Sequence, residues 1–205
     1  TFSYVAEESG STGNVTVTGT GTTWTNSGSL TVGYFGSGRL SITGGGNVSN
    51  NRSSSVGDSR GSTGNVTVDG VGSTWASSGN LTVGYYGAGT MTITNGGHVS
   101  CANGEVGGGF FAMGNVSVVG ANSRWTTSGN LSIGGSDSGP TEAGTVTVAS
   151  HGLIDVAKTL RVWTTTGNLI IDGGSVSVGA LAGNGTIYIG DSTEGASLTI
   201  ATSSN

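Results

Sequence analysis

The chain has 205 residues, of which 42 are Gly and one is Pro, and its charged residues amount to 8%, well below the roughly 25% of an ordinary soluble domain. The formal net charge is −5, and six Lys and Arg residues are too few to neutralise a run of phosphates, which excludes nucleic acid as an expected partner. No apolar run approaches the roughly 18 residues of a membrane-spanning helix, so we expect no membrane insertion.

The first ten residues, TFSYVAEESG, precede the first repeat, so we expect residues 1–10 to form an N-terminal extension or cap. They contain neither the basic nor the apolar stretch of a signal peptide, and the chain begins without Met. We therefore expect a processed, secreted chain with an extracellular or cell-surface location. The single cysteine, Cys101, excludes an intrachain disulfide. We expect it to be a small buried residue, with an intermolecular bridge as the alternative.

From Ser11 the chain repeats itself. The segment STGNVTVTGTGTTWTNSGSLTVGYFGSGRLSITGGGNVSN returns from Ser62 as STGNVTVDGVGSTWASSGNLTVGYYGAGTMTITNGGHVSC, an offset of 51, and a third copy starts at Met113. Repeats of this length are typical of solenoids and propellers. The same position in each copy holds a tryptophan, and we expect these landmark residues to pack under a corner of the fold: Trp24, Trp75 and Trp125.

Each copy divides into two similar halves, so that the underlying structural unit has about 25 residues, within the range of solenoid repeats. The first apolar residues of the GNVTV-like segments follow one another in steps of 25, 26, 25, 25, 30 and 23: Val15, Leu40, Val66, Met91, Val116, Val146 and Leu169. The long step contains residues 136–143, which we interpret as a loop insertion that leaves the stack intact. Residues 11–135 are then the regular region, and residues 144–205 hold divergent coils and a C-terminal cap.

Apolar residues alternate with Thr or Ser within each unit, as in Val15 and Val17 or Leu40 and Ile42. This period of two predicts strands with one buried face. Three short runs per unit, separated by Gly, Asn and Ser, predict an all-β fold, a right-handed parallel β-helix of seven or eight coils with about 25 residues each. A β-propeller is the competing architecture, but the similarity between half-repeats favours the β-helix.

Three pairs of aromatic residues follow glycine-rich segments and are the best candidates for an exposed contact strip: Tyr34 with Phe35, Tyr85 with Tyr86, and Phe110 with Phe111. Exposed aromatic side chains suit an interface between copies of the chain and also a platform for sugar rings. We favour self-association, because the sequence offers no convergent polar groups that would orient a sugar.

Catalytic and metal sites are not expected. A polysaccharide-degrading site would have to use Asp155, Lys158, Arg161 and Asp172, which we interpret as solvated ion-pairing residues. His98 and His151 have no second ligand at metal-binding spacing, and we predict no metal and no cofactor. Aspartates beside glycines suggest turn capping more than calcium binding: Asp58, Asp69, Asp137, Asp172 and Asp191.

The segment GSTWASSGNLTVGYYGAGTMTITNGGHVS, from Gly72 to Ser100, resembles the consensus of the repeat associated with type V secretion and PEP-CTERM proteins of bacteria. The resemblance covers about residues 11–135. Such proteins resemble autotransporter passengers, so the resemblance implies a β-helix exported to the cell surface, and it brings no catalytic residues. We find no membrane-barrel segment or sorting signal up to Asn205, so we expect a mature fragment or a stand-alone secreted subunit.

These observations together predict a non-enzymatic, secreted structural subunit that associates with copies of itself, end to end, into extracellular filaments or surface structures. The first alternative is an adhesin or autotransporter passenger that binds glycans or a host surface. A polysaccharide-degrading enzyme is the next, and the rows of Thr, such as Thr16 and Thr18, leave an ice-binding surface as a minor alternative.

Overall fold

The computed structural model describes residues 2–163, 167–190 and 195–201. These residues form 24 strands and no helix. In chain order the strands are β1 (Phe2–Val5), β2 (Thr12–Thr18), β3 (Thr23–Asn26), β4 (Ser29–Val32), β5 (Ser37–Thr43), β6 (Asn47–Asn50), β7 (Ser54–Val56), β8 (Thr63–Asp69), β9 (Thr74–Ser77), β10 (Leu81–Val83), β11 (Ala88–Thr94), β12 (His98–Cys101), β13 (Gly104–Val106), β14 (Met113–Val119), β15 (Arg124–Thr127), β16 (Leu131–Ile133), β17 (Gly135–Ser136), β18 (Gly139–Pro140), β19 (Ala143–Ala149), β20 (Leu153–Val162), β21 (Gly167–Asp172), β22 (Ser175–Gly183), β23 (Thr186–Ile189) and β24 (Ser197–Ile200).

Apart from the short antiparallel pair β17 and β18, the strands stack in parallel as three faces around one hydrophobic core, which confirms the predicted parallel β-helix. The first face is the eight-stranded sheet β2-β5-β8-β11-β14-β19-β21-β23, so the solenoid has about eight coils. The second face runs β3-β6-β9-β12-β15 and continues through β20, β22 and β24. The third face runs β1-β4-β7-β10-β13-β16 and also continues into β20 and β22, since these two long strands turn the corner between the faces.

The first face confirms the spacing between coils that the sequence predicts. Its strands pair in register so that Val66 lies between Leu40 and Met91, one coil to either side. The predicted residues form one inward column that continues to Ile187, and from the second to the seventh coil they are at most 2% exposed: Leu40, Val66, Met91, Val116, Val146 and Leu169. Thr and Ser side chains alternate with these residues on the other side of the strands and give the face a polar outer surface.

The tryptophans belong to an inward column of the second face in which large and small residues alternate. Trp75 lies between Val48 and Val99, and Trp75 and Trp125 are 1% and 0% exposed. On the third face the alternation continues, because Leu81 and Leu131 share the tryptophan coils while the coils directly before them have Ser54 and Gly104. Two coils with complementary side-chain sizes therefore make one sequence repeat.

In five successive coils a glycine closes the corner after the third face. Gly57 has a φ of 70°, and a Cβ there would lie 2.3 Å from the carbonyl oxygen of Ala88 in the next coil. Only glycine combines this left-handed backbone with so close an approach. Equivalent positions have nearly the same φ, between 71° and 74°: Gly33, Gly84, Gly107 and Gly134.

The segment interpreted as a loop insertion projects from the corner between the fifth and sixth coils. It begins with the antiparallel pair β17 and β18, and Asp137 at its tip forms an ion pair of 2.5 Å with Arg161 on the third face. The next first-face strand remains in register, with Ala143 paired to Met113. Asp191, a candidate turn cap, lies outside the described residues.

Candidate functional site

The side of the third face that points away from the core has one column of polar and aromatic residues. Tyr4 pairs with Thr31, Thr31 with Ser55, Ser55 with Thr82, and Thr82 with Glu105, one coil after another. The residues beside them in each strand, including Leu30, Val32 and Val83, are fully buried. Because alternate side chains of a strand point to opposite sides, the buried residues fix the outward direction of this column.

A second column follows at the corner, directly after the left-handed glycines. The backbone N–H of Asp58 donates to Gly33 O at 2.9 Å, and that of Tyr85 donates to Gly57 O at 3.0 Å. These bonds hold Tyr34, Asp58 and Tyr85 in successive coils beside the hydroxyl-bearing column. The tight glycine corner therefore places two tyrosines and a carboxylate along the same edge.

The two columns line an open groove of about 620 Å³, which we call the aromatic groove. Its size falls within the roughly 300–1,000 Å³ of small-molecule sites. Tyr4 and Tyr34 lie at one end with ring centroids 4.8 Å apart, and Tyr85 lies two coils further on. The remaining lining is mostly hydroxyl, amide and carboxylate: Phe2, Ser29, Thr31, Ser53, Ser54, Ser55, Asp58, Asn80, Thr82 and Glu105.

The electrostatic environment of the groove is negative. Burial raises the pKa of Glu105, although a 3.4 Å hydrogen bond from Thr82 Oγ1 opposes the rise. A hydrogen bond with Tyr86 and partial burial, together with the nearby acids, raise the pKa of Tyr85 to about 12. The pKa of Tyr4 is raised by burial and then by Tyr34, Glu7 and Asp58. No Lys, Arg or His is among the described residues that line the groove.

The predicted aromatic strip lies on this corner, but only part of it faces the groove. Tyr34 and Tyr85 line the groove, whereas their neighbours Phe35 and Tyr86 are 48% and 40% exposed beside it. Each neighbour contacts its partner ring at a centroid distance of 4.3 Å. The repeat pattern therefore identified the aromatic corner but did not indicate which ring of each pair faces the groove.

Phe110 and Phe111 lie on a longer version of the same corner, 63% and 66% exposed. The guanidinium carbon of Arg60, two coils away, lies 4.6 Å above the ring of Phe111. Phe111 has a φ of 65°, where the equivalent corners have Gly10 and Gly61. A phenylalanine in this left-handed conformation is strained.

Sequence reasoning missed several groove residues. Phe2 and Tyr4 belong to β1, which pairs with β4, and the alternation in FSYV, with Val5 buried, is the sequence signal for this strand. Asp58 was considered only as a turn cap, and neither Asp58 nor Glu105 had a repeat signal, because other residues occupy their positions in the remaining coils.

A second open groove, of about 700 Å³, follows the second face from Ala76 to Ala201. Its floor is mostly Ala, Ser and Gly, and its ion pair joins Arg124 to Asp155. His98 lies nearby, with Nε2 at 3.2 Å from Thr126 Oγ1, and burial together with Arg124 lowers its pKa. This groove contains no exposed aromatic residue among those described.

The four residues considered for polysaccharide cleavage are distributed over different parts of the solenoid. Asp155 is on the second face, Arg161 is on the third face, and Asp172 ends a strand of the first. Lys158 lies at the corner where the register of β20 shifts. Asp155 pairs with Arg124 and Arg161 with Asp137, so neither ion pair joins two members of the set.

Other polar candidates also have structural partners. Asp69 Oδ1 accepts hydrogen bonds of 2.7 Å from Thr94 Oγ1 and from Asn95 Nδ2, which ties neighbouring coils together. His151 occupies a left-handed turn with a φ of 66°. Over the described ranges no three residues among His, Cys, Asp and Glu are grouped closely enough to hold a metal ion. Within the same ranges, no helix has the length and hydropathy needed to cross a membrane.

Comparisons of the chain with protein-family models, with curated proteins and with solved structures each find no match.

Proposed function

We propose that the chain is a secreted structural β-helix, without enzymatic activity, that stacks end to end with copies of itself into filaments or surface structures. The observation that carries this proposal is the state of the core at the two ends of the described solenoid. The apolar columns are sealed inside the rod, but their outermost members among the described residues are only partly buried.

At the first coil the open residues are Val15 and Trp24, which are only partly buried. At the last coil they are Ile187 and Leu198. Val15 and Ile187 are the two ends of one column on the first face, and Trp24 and Leu198 are the two ends of one column on the second face. A copy stacked in register would therefore place Ile187 on Val15 and Leu198 on Trp24.

Burial of such side chains contributes roughly 1.5–3 kcal/mol for each one that is fully removed from water. The backbone adds to this attraction. On the first face the outermost strands are β2 and β23, and each pairs on one side with a described strand. Free strand edges pair readily with another chain, and a head-to-tail contact that does not close produces an open fibre.

Two further apolar residues in the last coil extend this end surface. Ile189 continues the column of Ile171 and Ile200 that of Val178, and they are 49% and 47% exposed. The low charge of the chain, 8% of its residues, leaves little electrostatic repulsion against close packing of copies. The resemblance of Gly72–Ser100 to the type V secretion and PEP-CTERM repeat supports an extracellular or cell-surface location for the assembly.

The test uses two variants that each damage one end. Val15→Glu places a carboxylate at the first open end, and Ile187→Glu places one at the last. Each variant alone is expected to be monomeric by sedimentation velocity at concentrations where the unmodified chain forms fibres visible by negative-stain electron microscopy. Because each variant keeps one intact end, an equimolar mixture is expected to give a dimer and no fibre.

The control is Val71→Glu, since Val71 is 79% exposed on the side of the rod and away from both ends. This variant is expected to assemble like the unmodified chain. A chain that sediments as a monomer at all concentrations, or a Val15→Glu variant that still forms fibres while its circular dichroism is unchanged, would contradict end-to-end assembly.

A further inference from the structure

The geometry of the aromatic groove points to a second activity: we infer that it binds a linear carbohydrate chain that has no acidic groups. The groove lies on the side of the rod, so this inference does not depend on end-to-end assembly. It rests on the ring surfaces, the hydroxyl floor and the charge of the groove.

The ring surfaces lie along the axis of the solenoid. Tyr4 and Tyr34 form one aromatic end, and Tyr85 follows at a distance of two coils. From Tyr4 to Glu105 the outward column spans four steps between coils, about 19 Å at roughly 4.8 Å per step. Tyrosine presents an apolar ring and a hydroxyl group on the same side chain. A row of such residues suits a chain of pyranose rings, in which C–H surfaces alternate with hydroxyl groups.

The floor of the groove offers hydrogen-bonding groups between these rings. Thr31, Ser55 and Thr82 follow one another in register, and Asn80 lies beside them. Ser55 Oγ is buried and has no hydrogen-bond partner within the described part of the chain. A buried hydroxyl without a partner is destabilising. A ligand hydroxyl that formed a hydrogen bond with Ser55 Oγ would remove this penalty.

The charge of the groove defines the class of sugar. Asp58 and Glu105 line it, and neither belongs to an ion pair among the described residues. Carboxylates accept hydrogen bonds from sugar hydroxyls, and these charge-assisted bonds are stronger than neutral ones. The same carboxylates repel uronates and sulfated sugars, since no cation among the described lining residues compensates them. Neutral chains therefore fit, and acidic chains do not.

The polar floor also separates a sugar from the other occupant that aromatic and acidic residues suit, a basic peptide. Lysine and arginine would use the carboxylates and the ring faces. These side chains would leave the hydroxyls of Thr31, Ser55 and Thr82 without ligand partners. A sugar chain has hydroxyl groups on every unit, so it matches three successive hydroxyls along the axis.

The experiment measures binding by isothermal titration calorimetry with three hexasaccharides, cellohexaose, chitohexaose and hexagalacturonate, and with a hexalysine peptide. Cellohexaose or chitohexaose is expected to bind, whereas hexagalacturonate is not. Tyr85→Ala is expected to weaken binding about tenfold, as the loss of one aromatic contact of roughly 1.4 kcal/mol predicts. Phe110→Ala, on the same corner but outside the groove, is the control and is expected to bind like the unmodified chain.

Two further variants keep the result interpretable if Tyr85→Ala perturbs the corner. Thr82→Val keeps the shape of the floor and removes one hydroxyl, so weaker binding at an unchanged melting temperature supports the groove. The double variant Asp58→Asn with Glu105→Gln is expected to admit hexagalacturonate. Failure of both neutral hexasaccharides to bind, binding of hexalysine alone, or equal binding by Tyr85→Ala, Thr82→Val and Phe110→Ala would overturn the inference.

Discussion

The indole Nε1 of Trp75 donates a hydrogen bond of 3.3 Å to Oδ1 of Asn50, which lies one coil closer to the start of the chain. Asn50 Oδ1 also accepts a bond of 2.8 Å from Ser54 Oγ, and Asn50 Nδ2 donates to Ser77 Oγ at 3.1 Å. All four residues are buried. A polar cluster thus joins two coils inside an otherwise apolar core.

The corresponding residues one repeat later are apolar or weakly polar: Cys101, Gly104, Trp125 and Thr127. Trp125 Nε1 makes no hydrogen bond to any of the described atoms. Trp125 makes only a weak contact with the nearby Cys101 sulfur. This contact lowers the pKa of the thiol, but burial raises it by more. Equivalent positions in the two repeats are therefore occupied by a hydrogen-bonded polar cluster in one and by apolar or weakly polar residues in the other.

Replacement of Asn50 should be costly, because it leaves Trp75 Nε1–H and two serine hydroxyls without their shared partner. We expect Asn50→Ala to lower the free energy of unfolding by about 1–3 kcal/mol, measured by urea denaturation. Asn51→Ala is the control, since Asn51 is exposed one residue further on. Equal stabilities for the two variants would show that the cluster does not stabilise the fold.

Gly104 makes room for the large side chains of the next coil. A Cβ at this position would lie 2.8 Å from Trp125 Cζ2 and 2.8 Å from Leu131 Cδ1. Gly104→Ala is therefore expected to destabilise the chain by about 1–3 kcal/mol through overpacking. At Gly108 the Cβ would first meet the end of the Glu105 side chain, at 3.0 Å. Gly108→Ala should melt within a few degrees of the unmodified chain, and a similar loss in both variants would exclude the steric explanation.

The strain at Phe111 predicts a stabilising substitution. Asparagine tolerates the left-handed conformation, and release of the strain is worth about 1–2 kcal/mol. Loss of the contact with Arg60 costs roughly 0.5–1 kcal/mol, so Phe111→Asn should raise stability by up to about 1.5 kcal/mol in thermal unfolding. Phe110→Asn, at an adjacent exposed position outside the left-handed region, should have no such effect. A lower melting temperature for Phe111→Asn would contradict the prediction.

The Cys101 thiol should be inert in the folded chain. Burial raises its pKa from 9.0 to about 12, so the reactive thiolate is scarce at neutral pH. Reaction with a thiol reagent such as DTNB should therefore be slow until the chain is unfolded. Rapid labelling of the native chain would mean that the second-face corner opens.

The same shift makes stability depend on pH. The folded state retains the thiol proton more strongly than the unfolded state, so stability is unaffected below pH 9 and falls as the pH rises towards about 12. Tyr85, whose pKa is also raised to about 12, acts in the same direction above pH 10. The alkaline loss should be smaller in Cys101→Ala than in the unmodified chain, and identical pH profiles would contradict this linkage.

The apolar columns could be predicted because two independent periods in the sequence coincide. Alternation of Val with Thr determines which side of a strand is buried, and the longer period of one coil determines which strands are neighbours. Together they place Val66 between Leu40 and Met91, as the strand register confirms. The landmark tryptophans were recognised in the same way, because every second coil needs one large residue in the column.

The aromatic groove could not be predicted as a unit. Tyr4, Asp58 and Glu105 come from three separate coils, and each is the only residue of its kind at its position in the repeat. The repeat period identifies the residues that the coils have in common. The groove is made of residues that differ between coils, and their proximity becomes apparent only when the coils are stacked. The buried Asn50 cluster was missed for the same reason, since Cys101 replaces Asn50 in the next copy.

The alternation of tryptophan and valine along the second face also restricts how such a rod can evolve. Removal of the one coil between Trp75 and Trp125 would bring two indoles into adjacent layers, and it would delete Gly104, which makes room for the large side chains of the Trp125 coil. Duplication or deletion of two coils together preserves every contact along the axis. Genetic changes in length should therefore survive selection in blocks of about 50 residues, and the pair of coils is the heritable module of this architecture.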